Sequence, residues 1–478
     1  MRPKVQVTLA GYNIDSSLIR SLDQASATPE VISAAYARIS RSAKSVSELR
    51  AEALADVAQA RKSNQAIVFD LGHASVAEHA VFNFDVIGVS RLLTESLETL
   101  RFASFTEKSQ RYVTFARDYV IPAELELPAH SALRREYISV MDALFAEYQA
   151  SYAALKTLYA SQFPDLPARA RDGMAKEDAR YILPLATTTQ LGMTLNARSL
   201  ENLLRRLIAS PLREARELHA ALLKPAREVC PSLVRHVEAE PFTGSFRALN
   251  PKIPRDDFQD EELVRLLTHT PNADDTILAA LLYEQTQGSW QQCLDATSGF
   301  AAKVKQDMWD QVFADIRPWT KMPRAFELVD FSFELSLTES CWAQFKRHRV
   351  GSVIRQKHPG SRLWVMPEVI ESAGRSSQWH DLLPRVMDLK KALASISDEL
   401  ACYARLNADR VKVLVKMNLR ELYHLIRLRC DEHAQWEINI LAHAIAEQLR
   451  GVAPQATAFL CGKSEFDACK ADRAFQND

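Results

Sequence analysis

The stretch QFKRHRVGS, residues 344–352, sets Arg347, His348 and Arg349 side by side at the end of an apolar run. A second stretch, ETLRFASFTEKSQRYVTF, residues 98–115, has the same shape, with Thr99 and Leu100 where the first two cations stand. The similarity extends outward from both. Upstream, AVFNFDVIGVS (80–90) and FELVDFSFELSL (326–337) alternate as half-buried strands do. Each runs directly into a helical pattern, RLLTESLETLRF in one case and TESCWAQFKRHR in the other. Downstream, LNARSLENLLRRLIAS (195–210) and MNLRELYHLIRLRCDEHAQWEINILAHAIAEQL (417–449) both carry N-x-R followed by a long amphipathic helix. One order of elements repeated at long period is an internal duplication. The expected fold class is α+β, built from two tandem domains.

A chain of 478 residues is too long for one ordinary core. The segment PFTGSFRALNPKIPRDD, residues 241–257, collects three prolines and a glycine between helical patterns and reads as a linker. The division is then 1–240 for the first domain and 258–478 for the second. Helical patterns over 131–161 and 276–296 read as packing elements.

Lys and Arg total 59 against 60 for Asp and Glu, so no global field favours nucleic acid or an anionic membrane. The start MRPKVQVTLAGYN has no apolar core of signal length, and no run approaches the roughly 20 apolar residues of a membrane span. A soluble, cytoplasmic protein is expected. The seven cysteines include no C-x-x-C pair, so neither a disulfide framework nor a metal site is expected. Only 13 glycines are present, with no G-x-G-x-x-G after a strand and no G-x-x-x-x-G-K-[ST]. Any phosphate must therefore be held by side chains, chiefly by the planar fork of arginine.

Four clusters have residue types suited to chemistry. Gln344 lies three residues before Arg347, one helical turn away, so an amide and a guanidinium can share a face; the competing reading is a solvated helix end favoured by the dipole. In FTEKSQRY, Glu107, Ser109 and Arg111 alternate, which in an extended segment puts all three on one side; an ordinary exposed strand face is the alternative. GHASVAEH brings together His73, Ser75, Glu78 and His79 without the spacing of a zinc-protease helix. On the last long helical pattern Arg420, His424 and Arg427 fall at i, i+4, i+7, and Arg429 and His433 form an adjacent stripe. Two cationic stripes beside a core-facing one suggest a helix lining an anion site rather than a solvated face.

Taken in order, these motifs resemble the flavin-dependent thymidylate synthases. That family carries G-H-x-S-x-x-E-H, then R-H-R-x-x-S with E-x-S-x-R-Y close behind. An A-R-x-x-L-P segment, N-A-R and a late helix ending in H-A-Q-W-E follow. The first half shows GHASVAEH, FASFTEKSQRY, ARYILPLATTTQ and LNARSLENL; the second shows QFKRHRVGS, MNLRELYHLIRLR and DEHAQWEI. The resemblance covers most of the chain outside the linker and the helices preceding each cluster. The second half departs from it in three ways. KMPRAFEL stands in place of the G-H-x-S-x-x-E-H loop, HPGS is inserted beside Arg349, and the interval from Arg349 to Asn418 is shorter than that from Arg101 to Asn196.

The resemblance implies a pseudodimer of two family domains that methylates dUMP to dTMP. Methylenetetrahydrofolate would donate the carbon, and FAD reduced by NADPH would supply the hydride. Another pyrimidine nucleotide as substrate, or a non-catalytic nucleotide- or flavin-binding homologue, are the alternatives. It assigns the nucleotide to Gln344, Arg347, Glu107, Ser109, Arg111 and Arg180, and polarisation of the uracil ring to Arg429 as catalytic residue. FAD contacts fall on His73, Ser75, Glu107, Arg347, His348, Arg349, Asn196, Arg198, Asn418, Arg420, His424 and His433. Ser96, Thr99 and Leu207 occupy the places of Gln344, Arg347 and Arg429 in the first half, and no E-x-S-x-R survives in the second. Each half keeps what the other has lost, so one whole site per chain is expected. Since family members share sites between subunits, a homodimer, or pseudotetramer of domains, is the implied assembly.

Overall fold

The computed structural model describes residues 5–14, 28–38, 46–66, 74–240, 262–356 and 363–477. The linker segment 241–257 lies outside them. The chain divides into two compact units. The first gathers Met1–Arg255 with His358–Gly360 and Met366–Asn407, and the second holds Asp256–Lys357, Ser361–Val365 and Ala408–Asp478. Residues 366–407, placed in the second domain by the sequence division, thus pack with the first unit.

The first unit contains a four-stranded antiparallel sheet in the order β1-β2-β4-β3, with β1 Gln6–Tyr12, β2 Val81–Ser90, β3 Ala103–Glu107 and β4 Thr188–Asn196. On β2 the side chains of Phe82, Phe84 and Val86 are buried while Asn83, Asp85 and Ile87 face outward, the alternation expected of a sheet covered on one face. At Gly88 the register shifts, and this residue has φ of +80°. A backbone in that region is open to glycine at little cost, which is why the bulge sits there.

The second unit repeats the order as β5-β6-β8-β7, with β5 Val264–His269, β6 Asp330–Thr338, β7 Ser352–Arg355 and β8 Arg410–Asn418. Phe331, Phe333, Leu335 and Leu337 of β6 and Val411, Val413, Val415 and Met417 of β8 supply its core. Here β6 pairs with β8 without a bulge.

In both units the second strand turns into a helix through the same device. Ser90 and Thr338 cap the helices Arg91–Glu98 and Glu339–Phe345, accepting from the amides of Leu93 and Cys341. A buried glutamate then grips the cap. Glu214 accepts from the Ser90 amide at 2.6 Å and its hydroxyl at 2.7 Å. Glu437 does the same for the amide of Thr338 at 2.9 Å and for its hydroxyl. Asn196 and Asn418 likewise cap the helices Ala197–Ile208 and Leu419–Arg429. Four caps at matching places show the duplication in hydrogen bonds as well as in residue pattern.

Two expected helices are broken. The pattern 417–449 divides into Leu419–Arg429 and Trp436–Val452, because Gln435 leaves the helix to accept from the Ile438 amide as an N-cap. The pattern 276–296 divides into Ala273–Gln285 and Trp290–Gly299, where Ser289 and Gln292 close a capping box. The pattern 131–161 is one helix, Ser131–Gln162. Its buried face receives the segment 366–407: Trp379 donates to Ser151 Oγ at 3.0 Å and Arg375 pairs with Glu147.

Within the first unit the two copies of one short segment also meet. The Leu185 amide donates to the Arg405 carbonyl at 2.7 Å and the Asn407 amide to the Leu183 carbonyl at 2.8 Å. Pro184 opposes Leu406 in an antiparallel bridge. The same positions of each copy face each other, a local two-fold relation. Among the described residues no helix is long and apolar enough to cross a membrane.

Candidate functional site

In the first unit β3 ends at Glu107, and the chain turns through 110–112 instead of continuing as a strand. Ser109 Oγ accepts from the Arg111 amide at 3.1 Å, a side-chain turn that competes with extended backbone. Glu107, Ser109 and Arg111 therefore do not share a strand face as the alternation suggested. Glu107 instead meets Arg91 across 2.7 Å, both nearly buried, and Arg111 pairs with Glu177. Burial alone would lower the Arg91 guanidinium, but Glu107, Glu98 and Glu95 outweigh it and hold the group above its ordinary value.

Arg180 follows the helix Ala168–Ala179 and is 5% exposed. Its Nε and Nη2 have no partner among the described residues. Burial lowers its pKa; Glu177 opposes that shift, and Arg111 and Arg91 add to it. Gln110 is buried beside it: Asn407 Nδ2 donates at 2.9 Å to both Gln110 Oε1 and the Arg180 carbonyl, and Gln110 Nε2 has no partner among the described residues. Buried donors without acceptors cost about 1–3 kcal/mol each, so this concentration marks a place prepared for an acceptor-rich anion.

The second unit carries the other cluster. Gln344 is buried on the helix Glu339–Phe345 with Nε2 unsatisfied, as is the Ser340 hydroxyl four residues before it. Arg429 ends the helix Leu419–Arg429, donating from Nη2 to the Gln344 carbonyl and from Nε to His348 Nε2, both at 3.1 Å. An imidazole nitrogen that accepts must be unprotonated, so His348 is neutral with its proton on Nδ1, which has no hydrogen-bond partner among the described residues; Glu421 Oε1 lies 3.6 Å away. Burial lowers the His348 pKa; Glu421 opposes the shift, and Arg429 and His424 reinforce it. The ring thereby fixes the direction of Arg429. Arg347 is exposed and Arg349 half-buried.

The cationic stripes expected along the late helix do not form. Arg427 is buried, donating to the Thr320 carbonyl and lying over the Tyr423 ring. Arg420 turns to Glu327 and the Met322 carbonyl. His433 lies beyond the helix end, 82% exposed and beside Asp431 and Glu432. His424 is exposed, 5.7 Å from the His348 ring.

Of the other residues assigned to FAD, His73 lies outside the described residues, and Ser75 is exposed in the 3-10 turn Ala74–His79. Arg198 pairs with Glu78 at 2.6 Å. Arg420 and Glu327 repeat that pair in the second unit, so KMPRAFEL, unlike the loop in sequence, retains its glutamate in place. Of the residues assigned to FAD, Ser75, Arg347 and His424 stay exposed, and a guanidinium with a hydroxyl and an imidazole fits an anionic cofactor. Sequence reasoning missed Arg91, Glu177, Gln110 and Asn407. Their partners lie far away in the chain, and no spacing rule connects them.

Residues 21–232 and 265–455 each match the model of the Thy1 family, described as thymidylate synthase complementing protein. The UPF0159 protein Ta1429 of Thermoplasma acidophilum is 22% identical over 82% of this chain and 87% of its own length. A flavin-dependent thymidylate synthase of Geobacter sulfurreducens is 31% identical over 45% of this chain and 85% of its own. Among solved structures, thymidylate synthase X of Helicobacter pylori with FAD and dUMP aligns at TM-score 0.31 and 18% identity, over 48% of this chain and 100% of that one. With both halves matched over most of their length, this chain belongs to the Thy1 family and carries the family's unit twice.

Proposed function

We propose that the protein is an FAD-dependent thymidylate synthase that methylates dUMP to dTMP, with methylenetetrahydrofolate as carbon donor and NADPH as reductant. The observation that carries this reading is the buried Arg180, whose two unpartnered guanidinium nitrogens stand beside Arg111 in the first half. A nucleotide phosphate supplies the acceptors that this site lacks. Arg429, held in one orientation by His348 and the Gln344 carbonyl, stabilises negative charge developing on the pyrimidine. Preorganised donors of this kind are often the largest catalytic contribution. The unsatisfied Gln344 amide and the exposed Arg347 hold the nucleotide, Arg347 also holds FAD, and Arg111 and Arg180 orient the substrate. Reduced flavin, when bound, supplies the hydride that completes the methyl group. The assembly proposed is a cytoplasmic homodimer, four family units in all.

The test is direct. Purified protein should be yellow, bleach with NADPH under nitrogen, and convert dUMP to dTMP when methylenetetrahydrofolate is added. Arg180→Ala should raise the KM for dUMP by about 10- to 100-fold, the loss of one charge-assisted contact, while the flavin spectrum stays unchanged. Colourless protein that takes up no FAD would sink the proposal.

A further inference from the structure

The C-terminal end of the second unit holds a cluster that the proposed reaction does not use. Cys430, His443 and Glu465 present one ligand atom each within 4.8 Å of one another. They come from three different elements. Cys430 caps the helix Leu419–Arg429, His443 lies within Trp436–Val452, and Glu465 immediately precedes Phe466–Asn477. Glu465 also lies past residue 455, where the family match ends.

Two observations point to a ligand here. The first is the imidazole of His443, which faces an oxygen acceptor at each nitrogen: the Asn439 carbonyl at 2.9 Å from Nδ1 and Glu465 Oε1 at 2.7 Å from Nε2. A neutral ring has a single proton and satisfies one of these contacts only. Either a second proton or a metal ion between Nε2 and the carboxylate completes the arrangement. A ring whose Nδ1–H is held by a backbone carbonyl, with Nε2 free to ligate, is the usual orientation of a metal-binding histidine.

The second is the close approach that brings Glu465 over Cys430. A Cβ on Gly462 would lie 2.4 Å from the Cys430 carbonyl oxygen, so only glycine fits. The Gly462 amide donates to Glu465 Oε2 at 2.9 Å, which fixes the carboxylate and leaves Oε1 for His443. Ser464 Oγ accepts from the Glu432 amide and ties the same loop to the residues after Cys430. Cys430 is buried, while the His443 and Glu465 side chains are 43% and 41% exposed, which gives a thiol floor with an open, polar entrance.

We propose that Cys430, His443 and Glu465 form a site for a zinc-like divalent cation. One sulfur, one imidazole nitrogen and one carboxylate oxygen suit that borderline-soft ion, and the solvent side leaves the fourth tetrahedral position to water. Binding releases the Cys430 thiol proton as the sulfur–metal bond forms. Because Cys430 follows Arg429 directly, the ion would fasten the C-terminal segment to the helix end that carries Arg429.

The experiment uses chelator-treated full-length protein titrated calorimetrically with zinc chloride, and separately with cobalt chloride under near-ultraviolet absorption. One equivalent of zinc should bind, and cobalt should give a thiolate-to-metal band. Cys430→Ser should abolish the band, and His443→Gln and Glu465→Gln should each weaken zinc at least tenfold. Cys469→Ser, at the thiol beside Cys461, should change neither. Glu465→Gln lies at a partly exposed position and keeps the test open if Cys430→Ser fails to fold. Protein that takes up no zinc at tens of micromolar, or equally well without Cys430 or Glu465, has only a histidine–glutamate ion pair there, and the proposal falls.

Discussion

Glu107 and Arg355 occupy the same point of the repeated sheet, opposite Leu191 on β4 and Val413 on β8, and carry opposite charges. Each is answered by the first residue of the helix after the second strand: Arg91 for Glu107 and Glu339 for Arg355. A largely buried ion pair is thus kept in both halves with its polarity reversed. A guanidinium at position 355 cannot stand in for the carboxylate of E-x-S-x-R, so the second half lacks that carboxylate while the pairing is preserved.

That pair can be tested by stability, since neither member of it is assigned to a ligand. Removing one partner of a buried ion pair costs about 3–5 kcal/mol, because a charge is left uncompensated. Arg355→Ala and Glu339→Ala should each lower the urea unfolding free energy of the second unit by about that amount. The double exchange Glu339→Arg with Arg355→Glu restores the polarity of the first half and should recover most of it. A double variant no more stable than the single ones would show that the two side chains do not compensate each other.

His348 makes stability depend on pH. Its native pKa is lowered by burial, with Arg429 and His424 contributing, from the ordinary value of 6.5. Below 6.5 the unfolded chain therefore binds a proton that the native chain refuses. The contribution is fully present above 6.5 and is lost as pH falls toward the native pKa. Unfolding midpoints in urea should drop as pH falls below 6.5, and His348→Gln, which keeps an acceptor for Arg429, should flatten that drop. An unchanged slope in the variant would remove His348 as its source.

Arg429 and Leu207 offer a paired kinetic test, because they hold matching places in the last turn of the same helix in the two halves. Arg429→Ala should cost about 2.7–4 kcal/mol of transition-state stabilisation, seen as a fall of roughly 10²–10³ in kcat. Leu207 is buried, and Leu207→Ala should cost about 2–5 kcal/mol of folding stability with turnover per folded molecule retained. Equal loss of turnover in both folded variants would contradict the assignment.

The repeated order of elements was legible because each strand hands over to its helix at a residue with strong local chemistry. Ser90, Thr338, Asn196 and Asn418 are all good N-caps at the boundary between a period-two and a helical pattern. Ser289 and Gln292 carried the same kind of signal, S-x-x-Q, which marks the break inside 276–296. Gln435 is a weaker cap, and the apolar period runs on past it, so 417–449 read as one helix. The face assigned to Glu107, Ser109 and Arg111 failed for another reason. Two of the three find partners from other elements, Arg91 and Glu177, and the hydroxyl between them turns the backbone. Cys430, His443 and Glu465 are separated by 12 and 21 residues, a spacing that matches no metal motif.

The distribution of residues predicts the binding stoichiometry. Glu107, Ser109, Arg111 and Arg180 lie in the first half; in the second, Arg355 stands at the place of Glu107, and Cys402, at the start of the 3-10 turn Cys402–Ala404, stands at that of Arg180. Gln344, Arg347 and Arg429 lie in the second half, and Ser96, Thr99 and Leu207 replace them in the first. A thiol at the place of Arg180 cannot bind phosphate as two guanidinium nitrogens do. A serine, a threonine and a leucine cannot polarise a uracil ring. On the proposed function, one nucleotide is bound productively per chain, although the chain carries the family unit twice. Calorimetric titration of the flavin-loaded protein should give one equivalent of dUMP per chain, and Arg180→Ala should weaken that event rather than halve it. Two equivalents of equal affinity, or Arg180→Ala protein that retains a half-stoichiometric site of unchanged affinity, would mean that the second half still binds nucleotide without those residues.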